Sequence, residues 1–321
     1  MGFTVKHLKK VAVKIEAVPQ VYGAPDVLLP YTTFTVQQNF DPVVDESLIG
    51  QAFADLPLQG ARHVIGNLSG QVDLNTIGVL LEAAYGAVAA GVYTAPTTEN
   101  TKTLSIVAID AVKTYKWAGC VLNNLVLTSE GSGDLTFSAD VIGTVAEVRD
   151  GTAFPTIVTN PGTRLLHRHA SGSGHFRIGD QDNALASGDD LGLRTISFGI
   201  NFNFAEAFDN EGQGAMLGVS GEAGRPVATF SATISRHEVD TPLTWRDDIE
   251  ALQAELLYYS SAAKQLKIEI PNFILTAAMP DDAEVAQVPL ETVLARNGIG
   301  TSYSNANMAF NSPIRITVTN S

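Results

Sequence analysis

The chain has 321 residues, 45% of them hydrophobic, and a formal net charge of −14. That length suffices for two ordinary domains or one large all-β domain with a sizeable core. Both halves are acidic, with 9 basic and 15 acidic residues in 1–150 and 11 and 19 in 151–321, which opposes tight or sequence-reading nucleic-acid binding. The single cysteine, Cys120, rules out an internal disulfide and any cysteine-rich metal site, and its apolar neighbours mark it as a small core residue.

At the N-terminus, Lys6, Lys9, Lys10 and Lys14 interrupt every apolar run, so no secretory signal or membrane span is expected and a soluble, non-exported chain is anticipated. Short runs rich in Val, Ile, Thr and Phe follow, bounded by Gly, Asn, Asp or Pro: 31–40, 103–109, 123–143, 195–204, 227–235, 265–270 and 312–320. These are strand signals at the spacing of an antiparallel β protein, and 129–134 (SEGSGD) predicts a hairpin loop.

Only two helices are expected. In the first, Asn75 or Thr76 is placed to cap, Ile77, Leu80, Leu81 and Ala84 recur at spacings of three and four, and Gly86 ends the run. The second is read over 241–259, with Ile249, Leu252, Leu256 and Tyr259 on one stripe and Asp247, Asp248 and Glu250 near its start.

The two halves share an order of features. Asn39-Phe40 ends a strand, an acidic Gly-containing stretch follows, and Arg62 opens the next strand; Asn203-Phe204, a similar stretch and Arg225 repeat this at nearly the same separation. A helix follows each time, then a strand beginning Asn124-Leu125-Val126-Leu127-Thr128 or Asn272-Phe273-Ile274-Leu275-Thr276. This order predicts two tandem antiparallel β-barrel or sandwich domains, each with one flanking helix and a long loop: domain 1 over 1–150, a connector over 151–192 and domain 2 over 193–321.

No constellation for catalysis stands out, and neither an enzyme activity nor a cofactor is expected. His167, His169 and His175 form the one histidine cluster, but Arg164 and Arg168 add positive charge, no carboxylate lies within it, and exposed or packing histidines are the simpler account. Ser69 lies beside Gly70 within a strand, not on an elbow. The glycine-rich pieces at 131–133 and 171–174 fit no phosphate-binding pattern. The adjacent pairs Asp189-Asp190, Asp247-Asp248 and Asp281-Asp282 are accounted for by capping and solvation.

The two long loops are more informative. Residues 41–61 carry Val43, Val44, Leu48, Ile49, Phe53, Leu56 and Leu58, and 205–224 carry Phe208, Met216, Leu217 and Val219. That is too much apolar surface for a free loop, so each either folds back on its own domain or meets another subunit. Sheets with open borders and apolar arms suit a subunit completed by its neighbours. A soluble β-barrel carrier or a carbohydrate-binding module is the alternative.

The stretch DESLIGQ, followed by LPLQGARHVIGNLSGQVDLNTIGVLLEAAYGA, resembles the signature of long-tailed (siphophage-type) bacteriophage tail tube proteins. YKWAGCVLNNLVLTSEGSGDLTFSADVIG is similar to that family's hairpin, with Gly119, Leu122, Asn123, Leu125 and Leu127 in matching places. The resemblance covers about residues 28–147; over 193–321 it rests on the internal repeat. It implies a virion structural protein of the tail: a β-barrel or sandwich flanked by a helix, assembled in stacked rings around a channel through which phage DNA passes at ejection without specific binding. It also implies other tail proteins as partners, no membrane, and assembly in the host cytoplasm. The loop 41–61 corresponds to the family's inter-subunit loop. Two copies in one chain depart from the usual single domain, and imply either a trimer with pseudo-sixfold symmetry, the favoured outcome, or a hexamer with the second domain outside.

Overall fold

The computed structural model describes residues 9–43, 58–95, 102–110, 113–130, 134–143, 148–151, 153–162, 174–207, 218–220, 226–235, 240–277, 287–295 and 305–320. In chain order the first half contains β1 (Lys10–Ile15), β2 (Val27–Leu28), β3 (Tyr31–Phe34), β4 (Gln37–Val43), β5 (Leu58–Gln71), α1 (Ile77–Tyr85), β6 (Ala87–Ala89), β7 (Val92–Thr94), β8 (Leu104–Ile109), β9 (Thr114–Glu130) and β10 (Thr136–Gly143). After β11 (Val148–Asp150) come β12 (His175–Asp180), β13 (Leu193–Asn201), β14 (Ala205–Ala207), β15 (Gly218–Ser220), β16 (Val227–Ser235), α2 (Asp240–Asp247), β17 (Leu252–Ser261), β18 (Lys264–Ala277), β19 (Gln287–Ala295) and β20 (Arg315–Asn320). Among the described residues, eighteen strands form one connected antiparallel sheet, and β14 with β15 forms a separate two-stranded one.

The pairing order is the same in both halves. In the first it runs β4–β5–β10–β9–β8–β1. In the second it runs β13–β16–β19–β18–β17–β12. Each helix follows the second strand of its series. The strand β12 lies within the stretch expected as a connector and pairs along its whole length with β17.

The strands follow from alternation. In β10, Phe137, Ala139 and Val141 are buried while Thr136, Ser138 and Asp140 are exposed; in β18, Leu266, Ile268 and Ile270 point inward. Helix α1 buries Ile77, Leu80, Leu81, Ala83, Ala84 and Tyr85 against the core, as its spacing predicts. Its start differs from expectation. The Thr76 side chain makes no capping bond; the Asp73 carbonyl accepts from the backbone N–H groups of Thr76 and Ile77, and the Asp73 carboxylate accepts from that of Asn75. The Asn75 side chain instead bonds Asn160 and Asn320.

The second helix is corrected more substantially. It ends at Asp247, and the stretch expected to carry it on to Tyr259 is strand β17. Leu252 and Leu256 fit a helical stripe, but Ala254 and Tyr258 complete a period of two with them, and all four are buried. Ile249 takes φ 54° at the break, while the N–H groups of Ile249 and Glu250 reach back to the carbonyls of Arg246 and Trp245. That is a helix-closing arrangement in which glycine is usual.

Candidate assembly surface

Strand β9, 17 residues long, is the spine of the molecule. It holds β8 and then β13 along one edge, and β11 and then β10 along the other. Midway, Gly119 adopts φ 63°, a conformation open to glycine without strain, and the register against β8 shifts there. The carboxylate of Glu16 secures this point. It accepts hydrogen bonds from the N–H of Gly119 (2.9 Å), the hydroxyls of Ser105 (2.8 Å) and Thr103 (2.6 Å), and the N–H of Gln20 (2.7 Å). Cys120 is buried beside it, and burial together with the Glu16 charge pushes its thiol pKa up, the opposite of what a reactive thiol needs.

The C-terminal stretch of β9 joins the halves. Residues Thr195 to Asn201 of β13 pair in unbroken register with Glu130 to Asn124. The contact continues as Phe202 and Phe204 donate their N–H groups to the carbonyl and side chain of Asn123 (2.8 and 2.7 Å), and Phe204 packs on Val121 and Ile142. The result is one run of eight strands, β4–β5–β10–β9–β13–β16–β19–β18.

Both ends of this run are open among the described residues. Strands β3 and β4 pair only with β5. From Ile274 to Ala277, β18 pairs only with β19. A cleft of about 450 Å³ lies beside the β3–β4 end, lined by Tyr31, Phe34, Val36, Ile109, Tyr115 and Trp117 among others. In the second half, where β13 is paired on both edges, the corresponding space between Phe176, Ile196, Phe198 and Phe230 shrinks to about 10 Å³.

The outward face of the run carries a polar row and few charges. Asn67 donates to Ser138 and Asp140 (both 3.0 Å), Asn124 donates to Asp140 (3.3 Å), and Thr35 accepts from the Asn67 N–H (2.8 Å). The row crosses β5, β10 and β9 and leads to Asn201, which pairs with Asn124. Over the paired stretches the other outward positions alternate Ser and Thr with apolar Ile65, Val126, Val227, Val293 and Ile274, with Glu130 and Glu291 as further acids and no Lys or Arg among the described ones. Two glycines of β5 let β3 and β4 lie close: a Cβ at Gly70 would stand 2.0 Å from the Pro30 carbonyl, and one at Gly66 2.4 Å from the Val36 Cα.

A row of ion pairs crosses the sheet elsewhere. His175 meets Glu255 (2.6 Å), Lys267 bridges Glu255 (2.7 Å) and Glu269 (3.0 Å), and Arg315 meets Glu269 (2.6 Å). Burial pushes the Glu255 carboxyl up, but hydrogen bonds and charge from His175 and Lys267 outweigh it and hold the pKa at about 2. The row clasps β12, β17, β18 and β20 together. Of the histidine cluster, His167 and His169 lie outside the described residues, and His175 is committed to Glu255. Among the described residues no three His, Cys, Asp or Glu side chains converge as metal ligands, and no helix is long and apolar enough to cross a membrane.

The loop residues expected at a subunit contact lie mostly outside the description: Val44, Leu48, Ile49, Phe53 and Leu56, and Phe208, Met216 and Leu217. Val43 and Leu58 pair with each other where β4 meets β5, so residues 44–57 are carried on a strand pair. Residues 208–217 are carried in the same way by β14 and β15, with Val219 opposite Glu206. The sequence reading anticipated open sheet borders but not which strands provide them, since no residue pattern in Thr32-Thr33-Phe34-Thr35 or Ile274-Leu275-Thr276 marks an edge as unpartnered.

Compared with known protein families, residues 7–264 match the family described as phage tail tube protein. No curated protein matches the chain.

Proposed function

Since the chain belongs to the phage tail tube protein family, and so is a structural subunit of a virion tail, we propose that it forms closed rings that stack into a siphophage-type tube, with the outward face of the eight-strand run lining the channel. The observation that carries this is the pairing order seen twice in one chain and joined through β9 and β13. Each chain then supplies two like arcs of one ring, a duplicated tube domain whose second copy starts near β12. The junction favours a trimer with pseudo-sixfold symmetry. A hexamer with the second half outside would take β13, and the strands beyond it, off the ring sheet.

Three chains of eight strands would close a barrel of 24. At a strand spacing of about 4.8 Å and a tilt of about 40°, its backbone diameter is about 45–50 Å, which leaves room for a DNA duplex after side chains are subtracted. DNA carries one charge per about 1.7 Å, so a wall of hydroxyls, amides and aliphatic side chains with scattered acids offers phosphates no cationic hold, and ejecting DNA slides. The arms 44–57 and 208–217 are placed to contact neighbouring subunits or rings. Assembly is proposed to take place in the host cytoplasm, with other tail proteins at the tube ends.

Negative-stain microscopy and mass measurement of the purified protein test this. Rings or tubes with three chains per ring are expected; a stable monomer at every concentration would refute it.

A further inference from the structure

We propose that the hairpin β6–β7 is a latch that holds the second half at a fixed angle to the first, so that a chain enters a ring as one stiff arc of two repeats and the ring gives only where copies meet. The latch concerns the single chain; its consequence for rings rests on the ring reading. The halves differ after their helices. Between α1 and β8 lie eighteen residues, 86–103, and between α2 and β17 only four, 248–251. Four residues suffice for a turn but not for two paired strands and the turn between them, so the first half alone carries this hairpin.

The hairpin spans both halves. Val92, Tyr93 and Thr94 pair with Thr317, Ile316 and Arg315 of β20. The Val318 N–H donates to the Gly91 carbonyl (2.7 Å), and the Ser312 hydroxyl donates to that of Ala95 (3.3 Å). Tyr93 and Ile316 are both buried, and the Tyr93 hydroxyl rests against α1, where a Cβ at Gly78 would lie 2.8 Å from it. At the far end of β20, the Asn320 side chain donates to that of Asn75, just before α1 (2.7 Å). The hairpin is thus fixed to the first half through its own helix and to the second through β20.

Two seams fix an angle that one leaves loose. The first is the ladder of β9 with β13; the second, β7 with β20, lies on the far side of β16, β19 and β18 in pairing order. Angles between neighbouring strands range over about 25° in sheets, so a chain held by β9 and β13 alone would rock by a comparable amount. A closed ring of three chains turns about 120° per chain and one of four about 90°, a difference of the same size. The latch therefore selects the ring number. Since α2 is not followed by such a hairpin, latched and unlatched junctions alternate around the ring, and the wall bends at the unlatched ones.

Distances between spin labels on Thr33→Cys and Glu291→Cys, exposed positions in the two halves, read the angle in the unassembled chain, and the buried Cys120 stays unlabelled. In Gly91→Val the side chain has no room, since a Cβ there would be 2.4 Å from the Val318 carbonyl oxygen at φ 73°. The distance distribution should widen about twofold, and rings should become mixed in number or stay open arcs. Val92→Cys/Thr317→Cys, directly opposed, should close a disulfide within the free chain and then assemble, unreduced, at the wild-type rate into rings of the wild-type number. Equal widths for Gly91→Val and the wild type, or a locked chain that assembles only after reduction, would overturn the latch. If Gly91→Val does not fold, the locked chain decides by itself. If no chain forms rings, the wild type included, the ring reading falls and the label widths still decide the latch.

Discussion

Glu16 tests whether a single buried carboxylate holds the left-handed Gly119 and the register shift of β9 against β8. It is 8% exposed and accepts four hydrogen bonds, two on each oxygen. In Glu16→Ala the Gln20 N–H, in an exposed turn, finds water. The N–H of Gly119 and the hydroxyls of Ser105 and Thr103 lie in buried positions and lose this acceptor. Hydrogen bonds to charged groups contribute about 1.5–3 kcal/mol each and do not add fully, so a loss of about 3–5 kcal/mol is expected. Glu16→Gln keeps the volume and one acceptor oxygen but turns an amide donor toward Gln20 and Thr103, and should cost about 1–2 kcal/mol. Urea unfolding of the unassembled chain, followed by the fluorescence of Trp117 and Trp245, measures both. A cost below about 1 kcal/mol for Glu16→Ala, or equal costs for the two variants, would show that the carboxylate does not hold this point of β9.

Ile249 occupies a left-handed position with its side chain 69% exposed; Ile249→Gly should therefore raise stability by about 1 kcal/mol, read in the same urea titration. The pKa of Glu255 is held below its ordinary 4.5, so the stability it contributes is present above that value and is lost as pH falls from about 4.5 toward 2. Glu255→Gln should flatten the pH dependence over that window, and an unchanged slope would refute the clasp. Asp140→Lys, on the outward face, should slow DNA ejection measured by dye release from particles carrying the variant; unaltered kinetics would count against that face lining the channel. Raising salt from about 0.01 M to 0.1 M shortens the screening length from about 30 to 10 Å, so light scattering should show faster ring formation if acidic copies meet through uncharged strand edges, and slower formation if ion pairs draw them together.

The parts legible from the sequence are those set by local alternation. The alternating burial of β10 and the apolar stripe of α1 appear where their residues predict them, because one buried face imposes its period on the chain. Gly66 and Gly70 stand in the quoted signature, yet their purpose, to let β3 and β4 cross β5 at contact distance, needs the partner strand to be seen. The second helix misled because Leu252 and Leu256 satisfy two periods at once; only long-range pairing with β12 and β18 decides between them. Glu16 gave no signal at all. Its partners lie 87, 89 and 103 residues away in sequence, and a lone glutamate after a strand reads as solvent-facing. The loop residues were legible as apolar surface in need of cover; which edges the fold leaves open was not.

The open edges also account for the charge. An unpaired strand border rich in Thr and Phe pairs with whatever border it meets, and proteins ordinarily blunt such borders with Lys, Pro or a bulge. Here Thr33, Phe34 and Thr35 carry no charge, and neither do Ile274, Leu275 and Thr276, so the register shifts between Tyr31 and Thr33 and between Leu275 and Ala277 are the local features of these segments that oppose a wrong partner. A net charge of −14 spread over both halves supplies the opposition at a distance. It holds free copies apart and leaves only contacts that bury enough edge and arm together able to overcome the repulsion. A short slipped pairing of four or five residues gains too little. A junction that buries a whole edge together with an arm would gain both contributions, and selection among encounters would follow from that difference.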